Sequence, residues 1–190
     1  MIIGLTGTNG AGKTAVAQYL ESLGFECHSL SDEIRRELTE QGLPSTRENL
    51  IHKGNAIRAN EGRSALADRV KARLADGTRY VIDSIRNPSE VESLRATGRF
   101  RLLLVDAPQQ VRYRRVVARG GDRLPASFEE FVDQERREWE SDDPAAQRMK
   151  ATIEMADETI SNEAGVAELR LKVNALVESA PQKPETSECK

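Results

Sequence analysis

A chain of 190 residues, 38% hydrophobic and 31% charged, has the make-up of a water-soluble globular protein with room for one substantial core. Its formal charge of −3 gives no general attraction to nucleic acid or to an anionic membrane, and no apolar run approaches the ~20 residues of a membrane helix, so neither partner is expected. The chain opens on an apolar run with no basic leader, which points to a cytoplasmic location, and its two cysteines, Cys27 and Cys189, make neither a disulfide framework nor a metal pair.

Ile2 to Thr6 is an apolar run of strand length. Directly after it, Gly7, Thr8, Asn9, Gly10, Ala11, Gly12, Lys13 and Thr14 follow the spacing G-x-x-x-x-G-K-S/T, and a helical stretch from Ala15 to Leu20 comes next. Glycines at this spacing let consecutive backbone N–H groups point at phosphates, where the following helix adds the positive end of its dipole. Lys13 is expected to reach the β- and γ-phosphates and Thr14 to ligate Mg²⁺, so a nucleoside triphosphate is the expected donor ligand.

A second strand is expected over Phe25 to Leu30, followed by a helix over Ser31 to Leu38 with Ser31 or Asp32 at its cap. Gly42-Leu43-Pro44-Ser45 breaks it; helices over Thr46 to Asn55 and Ser64 to Leu74 then form a long helical excursion, ended by Asp76-Gly77. The third strand, Tyr80 to Asp83, ends on a carboxylate where a phosphate-loop protein keeps its Mg²⁺ acid. Asp83 could instead cap a helix, a task for which Asn87 and Ser89 are better placed, and Arg86 falls in the same crevice.

The fourth strand, Arg101 to Asp106, leads into a helix over Gln110 to Ala118, a Gly120-Gly121-Asp122 turn and a charged helix over Ser127 to Glu140, together read as a short hinged lid. A helix over Ala145 to Ala156, a fifth strand over Glu158 to Ser161 and a last helix over Val166 to Val177 complete residues 1 to 178, read as one domain. Residues 179 to 190 have the composition of a disordered tail. Strands alternating with helices predict a three-layer α/β fold around a five-stranded parallel sheet, with ligands at the carboxyl ends of its strands.

Ser31-Asp32-Glu33-Ile34-Arg35, Asp83-Ser84-Ile85-Arg86 and then Arg115, Arg119 and Arg123 resemble, in order, the motifs of the nucleoside monophosphate kinases. The resemblance implies that Arg35 and Arg86 clamp the acceptor's phosphate and that Arg119 and Arg123 close from the lid, with Arg115, Arg136 or Arg137 as further contributors. Ala156 to Gly165 resembles the loop that passes the adenine in dephospho-CoA kinases, which gives Asn162 to the nucleotide. The pattern is also similar to a group of archaeal and phage kinase-like ATPases. The first segment carries no Asp-Ala-Asp and the lid no long insertion, so the acceptor stays open.

A monophosphate acceptor needs positioning and charge neutralisation, whereas a hydroxyl acceptor needs a base, a role Asp32 could fill. Arg58, with Gly54 and Asn55, lies in the helices expected to bind the acceptor and could touch its base or sugar. The residues assigned to catalysis are therefore Lys13, Asp32, Arg86, Arg119 and Arg123, with Asp32, Arg35, Arg58 and Arg86 on the acceptor and Thr14 and Asp83 on the metal. The expected activity is transfer of the γ-phosphoryl of ATP to a nucleoside or deoxynucleoside monophosphate by a monomer or homodimer. Dephospho-CoA phosphorylation and an ATPase switch acting on a macromolecular partner are the alternatives. Arg36, Arg112, Arg114 and Arg137 are read as charged-face residues, His28 and His52 as unconnected with zinc, and Trp139 as a seat for its helix on the core.

Overall fold

The structure, a computed structural model, describes residues 1–120, 124–139 and 143–179, with residues 137 and 138 described in backbone only. The elements run β1 (Ile2–Thr6), α1 (Lys13–Ser22), β2 (Glu26–Ser29), α2 (Leu30–Glu40), α3 (Arg47–Glu61), α4 (Ala65–Lys71), β3 (Tyr80–Asp83), α5 (Pro88–Arg95), β4 (Phe100–Asp106), α6 (Gln109–Arg119), α7 (Phe128–Trp139), α8 (Met149–Glu154), β5 (Glu158–Ser161) and α9 (Val166–Ser179). All five strands are parallel, in the order β2-β3-β1-β4-β5. β1, flanked on both sides, is buried along its whole length, as expected of a strand covered on both faces.

The two-residue period of the strands divides the core. Ile2, Tyr80, Ile82 and Leu102 face a cluster built with α2 to α5, while Ile3, Leu5, Val81 and Leu103 face a second one built with α1 and α9. That arrangement makes the three expected layers.

Ion pairs fasten the α2 to α4 excursion to itself. Buried Glu33 on α2 takes Arg36 at 3.1 Å and also Arg73 beyond α4, and Glu37 takes Lys53 at 2.7 Å and Arg69 at 2.6 Å. Thr46 caps α3 through the N–H of Asn49 at 3.2 Å.

Several boundaries differ from the sequence reading for identifiable reasons. The cap of α2 is Ser29 rather than Ser31 or Asp32: its extended backbone ends β2, and its hydroxyl accepts the Ser31 N–H at 3.3 Å. α3 runs on to Glu61 and α4 stops at Lys71. The helix expected from Ala145 begins only at Met149, because the side-chain amide of Asn87 donates to the Pro144 and Ala146 carbonyls at 2.9 and 3.0 Å and holds that stretch as a turn. α9 continues to Ser179, so residue 179 is helical; the tail expected over 180–190 lies outside the described residues. No described helix is long and apolar enough to cross a membrane.

Candidate active site

The loop between β1 and α1 is wedged between neighbours that leave no room for a side chain at Gly7, Gly10 or Gly12. Gly7 has φ +135°, and a Cβ there would stand 2.2 Å from the Val105 carbonyl oxygen. Gly12 has φ +108°, with a Cβ position 2.1 Å from the amide nitrogen of Asn162. Only glycine meets both the backbone and the space requirement. Gly12 is also the N-cap of α1 and makes no side-chain capping bond, so the first N–H groups of the helix remain for an anion.

Lys13 folds back over this loop, its Nζ donating to the Gly7 carbonyl at 2.6 Å and the Thr8 carbonyl at 2.9 Å. Burial, then the positive charge of Arg86, push its ammonium down to about 8, with Arg112 and Arg119 adding to the effect and Asp83 opposing it. Thr14, one residue on, is exposed.

Asn162 and Arg115 brace the loop from the far side. The Asn162 amide donates to the Ala11 carbonyl at 2.8 Å, while its backbone N–H donates to Asp106 at 2.7 Å. Arg115 donates to the Asn162 and Ala11 carbonyls at 2.9 and 3.4 Å. Buried and occupied, the Asn162 side chain supports the loop rather than projecting toward a base. Arg119, at the end of α6, donates to the Asn9 side-chain oxygen at 3.2 Å, which brings it to the outer edge of the loop.

Opposite stands the turn after β3. Thr6 at the end of β1 donates its hydroxyl to the buried Ile85 carbonyl at 3.0 Å. Ser84 has φ +68°, among the described residues the sole non-glycine with positive φ; it donates its N–H to the Asp83 carboxylate at 2.6 Å, and its hydroxyl accepts from Ser29 at 3.3 Å. The Arg86 backbone N–H donates to Glu90 at 2.8 Å and its guanidinium to Gln147 at 3.0 Å. Asp83 and Arg86 thus share the carboxyl-end crevice with Lys13.

Two acceptor assignments need restating. Arg58 is a core residue: its side chain is 2% exposed, and its Nε donates at 2.8 Å to Glu90, which is 0% exposed. Burial to that degree leaves no guanidinium edge open to an acceptor, so the expectation that Arg58 touches base or sugar is corrected. Asp32 and Arg35 form a 2.6 Å ion pair with 63% and 48% of their side chains exposed, on the first turns of α2.

Sequence reasoning missed the wall made by α7. Arg112, read as a charged-face residue, is buried beside Val116 on α6, donates to the Ala107 carbonyl at 2.8 Å and pairs with Glu135 of α7. The i, i+4 spacing from Val116 was the available signal. Gln109 donates to the same carboxylate at 3.0 Å. Trp139, expected to seat its helix on the core, instead lines the crevice with Thr8, Asn9, Arg86, Glu135 and Met149. Arg136 pairs with Asp133 on the surface, and Arg123 lies outside the described residues, as does the side chain of Arg137.

A parallel five-stranded sheet with a phosphate loop after its central strand and arginines around the strand ends defines a P-loop kinase fold. The chain belongs to the family described as an AAA domain, whose model matches residues 3–138. Within its relatives, a UPF0200 protein of Thermococcus gammatolerans is 31% identical over 94% of each chain, and one of Pyrococcus abyssi is 34% identical over 73% of this chain and 78% of its own. A shikimate kinase from Bacteroides thetaiotaomicron shares the fold with a TM-score of 0.64 at 16% identity, over 94% of this chain and 98% of its own.

Proposed function

We propose that this protein transfers the γ-phosphoryl group of ATP to a small phosphate-bearing acceptor, a nucleoside or deoxynucleoside monophosphate. The observation that carries the reading is the convergence of cationic groups on one crevice: Lys13, with Arg86 and Arg119 close enough to depress its ammonium. Such a surplus of positive charge suits two phosphate-bearing substrates meeting end to end, where catalysis is positioning and charge neutralisation.

The loop N–H groups and Lys13 would hold the donor's phosphates. Arg86, its guanidinium already oriented by Gln147, would grip the acceptor phosphate and keep the attacking oxygen near the transferred group. Arg35 would supply the second clamp by leaving Asp32, an exchange made inexpensive by the exposure of the pair. Arg119, on the outer edge of the loop, and Arg123 would neutralise charge on the moving phosphoryl group.

Magnesium fits the oxygen donors here. Thr14 offers a hydroxyl and Asp83 a carboxylate, and among the described residues no cluster of three or more His, Cys, Asp or Glu could cage an ion. This suits a cation held largely by phosphate and water. Bound there, it would neutralise the charge on the donor phosphates.

A hydroxyl acceptor such as dephospho-CoA is the second reading. It is favoured by the Asp32–Arg35 pair, in which the guanidinium orients a carboxylate that could take the hydroxyl proton. The deciding experiment supplies Mg-ATP with ribo- and deoxynucleoside monophosphates and dephospho-CoA and identifies the products by mass spectrometry. A phosphorylated monophosphate is expected. Phosphorylated dephospho-CoA alone would select the second reading, and ADP formed at one rate with or without acceptors would reject both in favour of an ATPase.

A further inference from the structure

The loop contains a hydroxyl that the fold leaves unsatisfied. Oγ1 of Thr8 is buried and has no hydrogen-bond partner among the described residues. The backbone around it is fixed, with the Thr8 carbonyl accepting Lys13 at 2.9 Å and the Ala11 N–H at 3.4 Å, so the hydroxyl is held in place by the loop itself. A buried hydroxyl without a partner has lost its bonds to water, and a ligand that supplies an acceptor recovers what burial cost. Sites with such groups discriminate strongly between ligands that satisfy them and ligands that do not.

The surroundings identify the kind of oxygen that fits. Thr8 lines the crevice with Arg86, above Lys13 and next to Asn9, which Arg119 contacts. The carboxylate on the same wall, Glu135, is already engaged by Arg112 and Gln109. The Arg86 and Arg119 guanidinium groups and the Lys13 ammonium thus stand around Thr8, and the matching acceptor is an anionic oxygen. The loop's amides and the helix end suit the phosphates nearer the nucleoside, while Thr8 lines the crevice together with Arg86.

We infer that the Thr8 hydroxyl donates to an oxygen of the terminal phosphoryl group, making Thr8 the residue that separates a nucleoside triphosphate from a diphosphate. Glu135 and Trp139 line the same crevice, so a phosphoryl group reaching Thr8 changes the surroundings of Trp139, the sole tryptophan in the sequence. The inference rests on triphosphate binding by the loop and is independent of which acceptor receives the phosphate.

The test uses the full chain with Thr8→Val, which keeps the shape and removes the hydroxyl, and Thr8→Ser, which keeps the hydroxyl. Binding of Mg-ADP and of a non-hydrolysable Mg-ATP analogue is measured by calorimetry, with Trp139 fluorescence in parallel. The expected result is a loss of about tenfold in analogue affinity for Thr8→Val with ADP affinity unchanged within twofold, and near wild-type behaviour for Thr8→Ser. The fluorescence change expected with the analogue is absent with ADP. Thr8→Val is also expected to melt no lower than the wild type, since it removes an unpaired polar atom.

Equal losses for both nucleotides, no loss for either, or a lowered melting temperature would overturn the inference. Wild-type protein that binds neither nucleotide would reject the loop as a nucleotide site altogether. Wild-type protein that shows the Thr8 discrimination yet phosphorylates no acceptor would reject the proposed phosphotransfer and leave the role of Thr8 standing.

Discussion

The side-chain amide of Asn162 donates to the Ala11 carbonyl at 2.8 Å and lies 2.1 Å from where a Cβ on Gly12 would be. The loop after β5 and the phosphate loop are therefore one packed unit, and the shape of the second depends on the first. Asn162→Ala leaves the Ala11 carbonyl with only the longer bond from Arg115. It is expected to cost about 1–3 kcal/mol of stability and to weaken ATP binding without changing acceptor affinity. Urea denaturation and calorimetry measure both, and a variant of native stability with altered base preference would return Asn162 to the adenine.

Lys13 gives a pH signature. Its folded value, about 8, lies below the ordinary 10.5, so between those values the unfolded chain binds more protons than the folded one. The cost of burying the ammonium is full below pH 8 and is relieved as pH rises toward 10.5, so this residue makes stability increase with pH across that window. Bound phosphate restores the charge, so nucleotide binding at pH 8.5 is expected to take up a proton. Calorimetry in two buffers of different ionisation enthalpy detects it, and Lys13→Arg, which stays charged, should remove the uptake.

The Arg58–Glu90 pair is expected to act on stability. Arg58→Met leaves the Glu90 carboxylate buried without its cation and should cost about 3–5 kcal/mol in chemical denaturation. The acceptor KM of the protein that remains folded should be unchanged. A tenfold rise in that KM at native stability would put Arg58 back beside the acceptor.

Arg86→Lys should lower transfer about a hundredfold while ATP affinity holds within a few-fold, because an ammonium cannot reproduce a two-pronged grip on phosphate. Single-turnover rates and equilibrium binding separate the two effects. If ATP affinity falls and transfer at saturating ATP survives, Arg86 serves the donor.

The inner strands β1 and β3 were legible because a parallel strand covered on both faces is written as a short apolar run: Tyr80 to Asp83 is β3 to the residue. The phosphate loop was legible because its chemistry demands fixed residues at fixed spacing. Features that depend on distant partners were not. The burial of Arg58 depends on Glu90, 32 positions away, and that of Arg112 on Glu135, 23 positions away; neither partner shows in local composition. The late start of α8 has the same origin, since Asn87 competes for the Pro144 and Ala146 carbonyls from the other side of the chain.

Ser84 holds a backbone conformation that costs a non-glycine residue about 1–3 kcal/mol. Its place in the chain, one residue after Asp83 and two before Arg86, makes it a spacer of set length between a negative and a positive pole, moored to the end of β2 through Ser29. A flexible glycine there would relax the backbone and unfix that spacing. The protein gives up stability at this peptide to keep the Asp83 carboxylate and the Arg86 guanidinium in constant register.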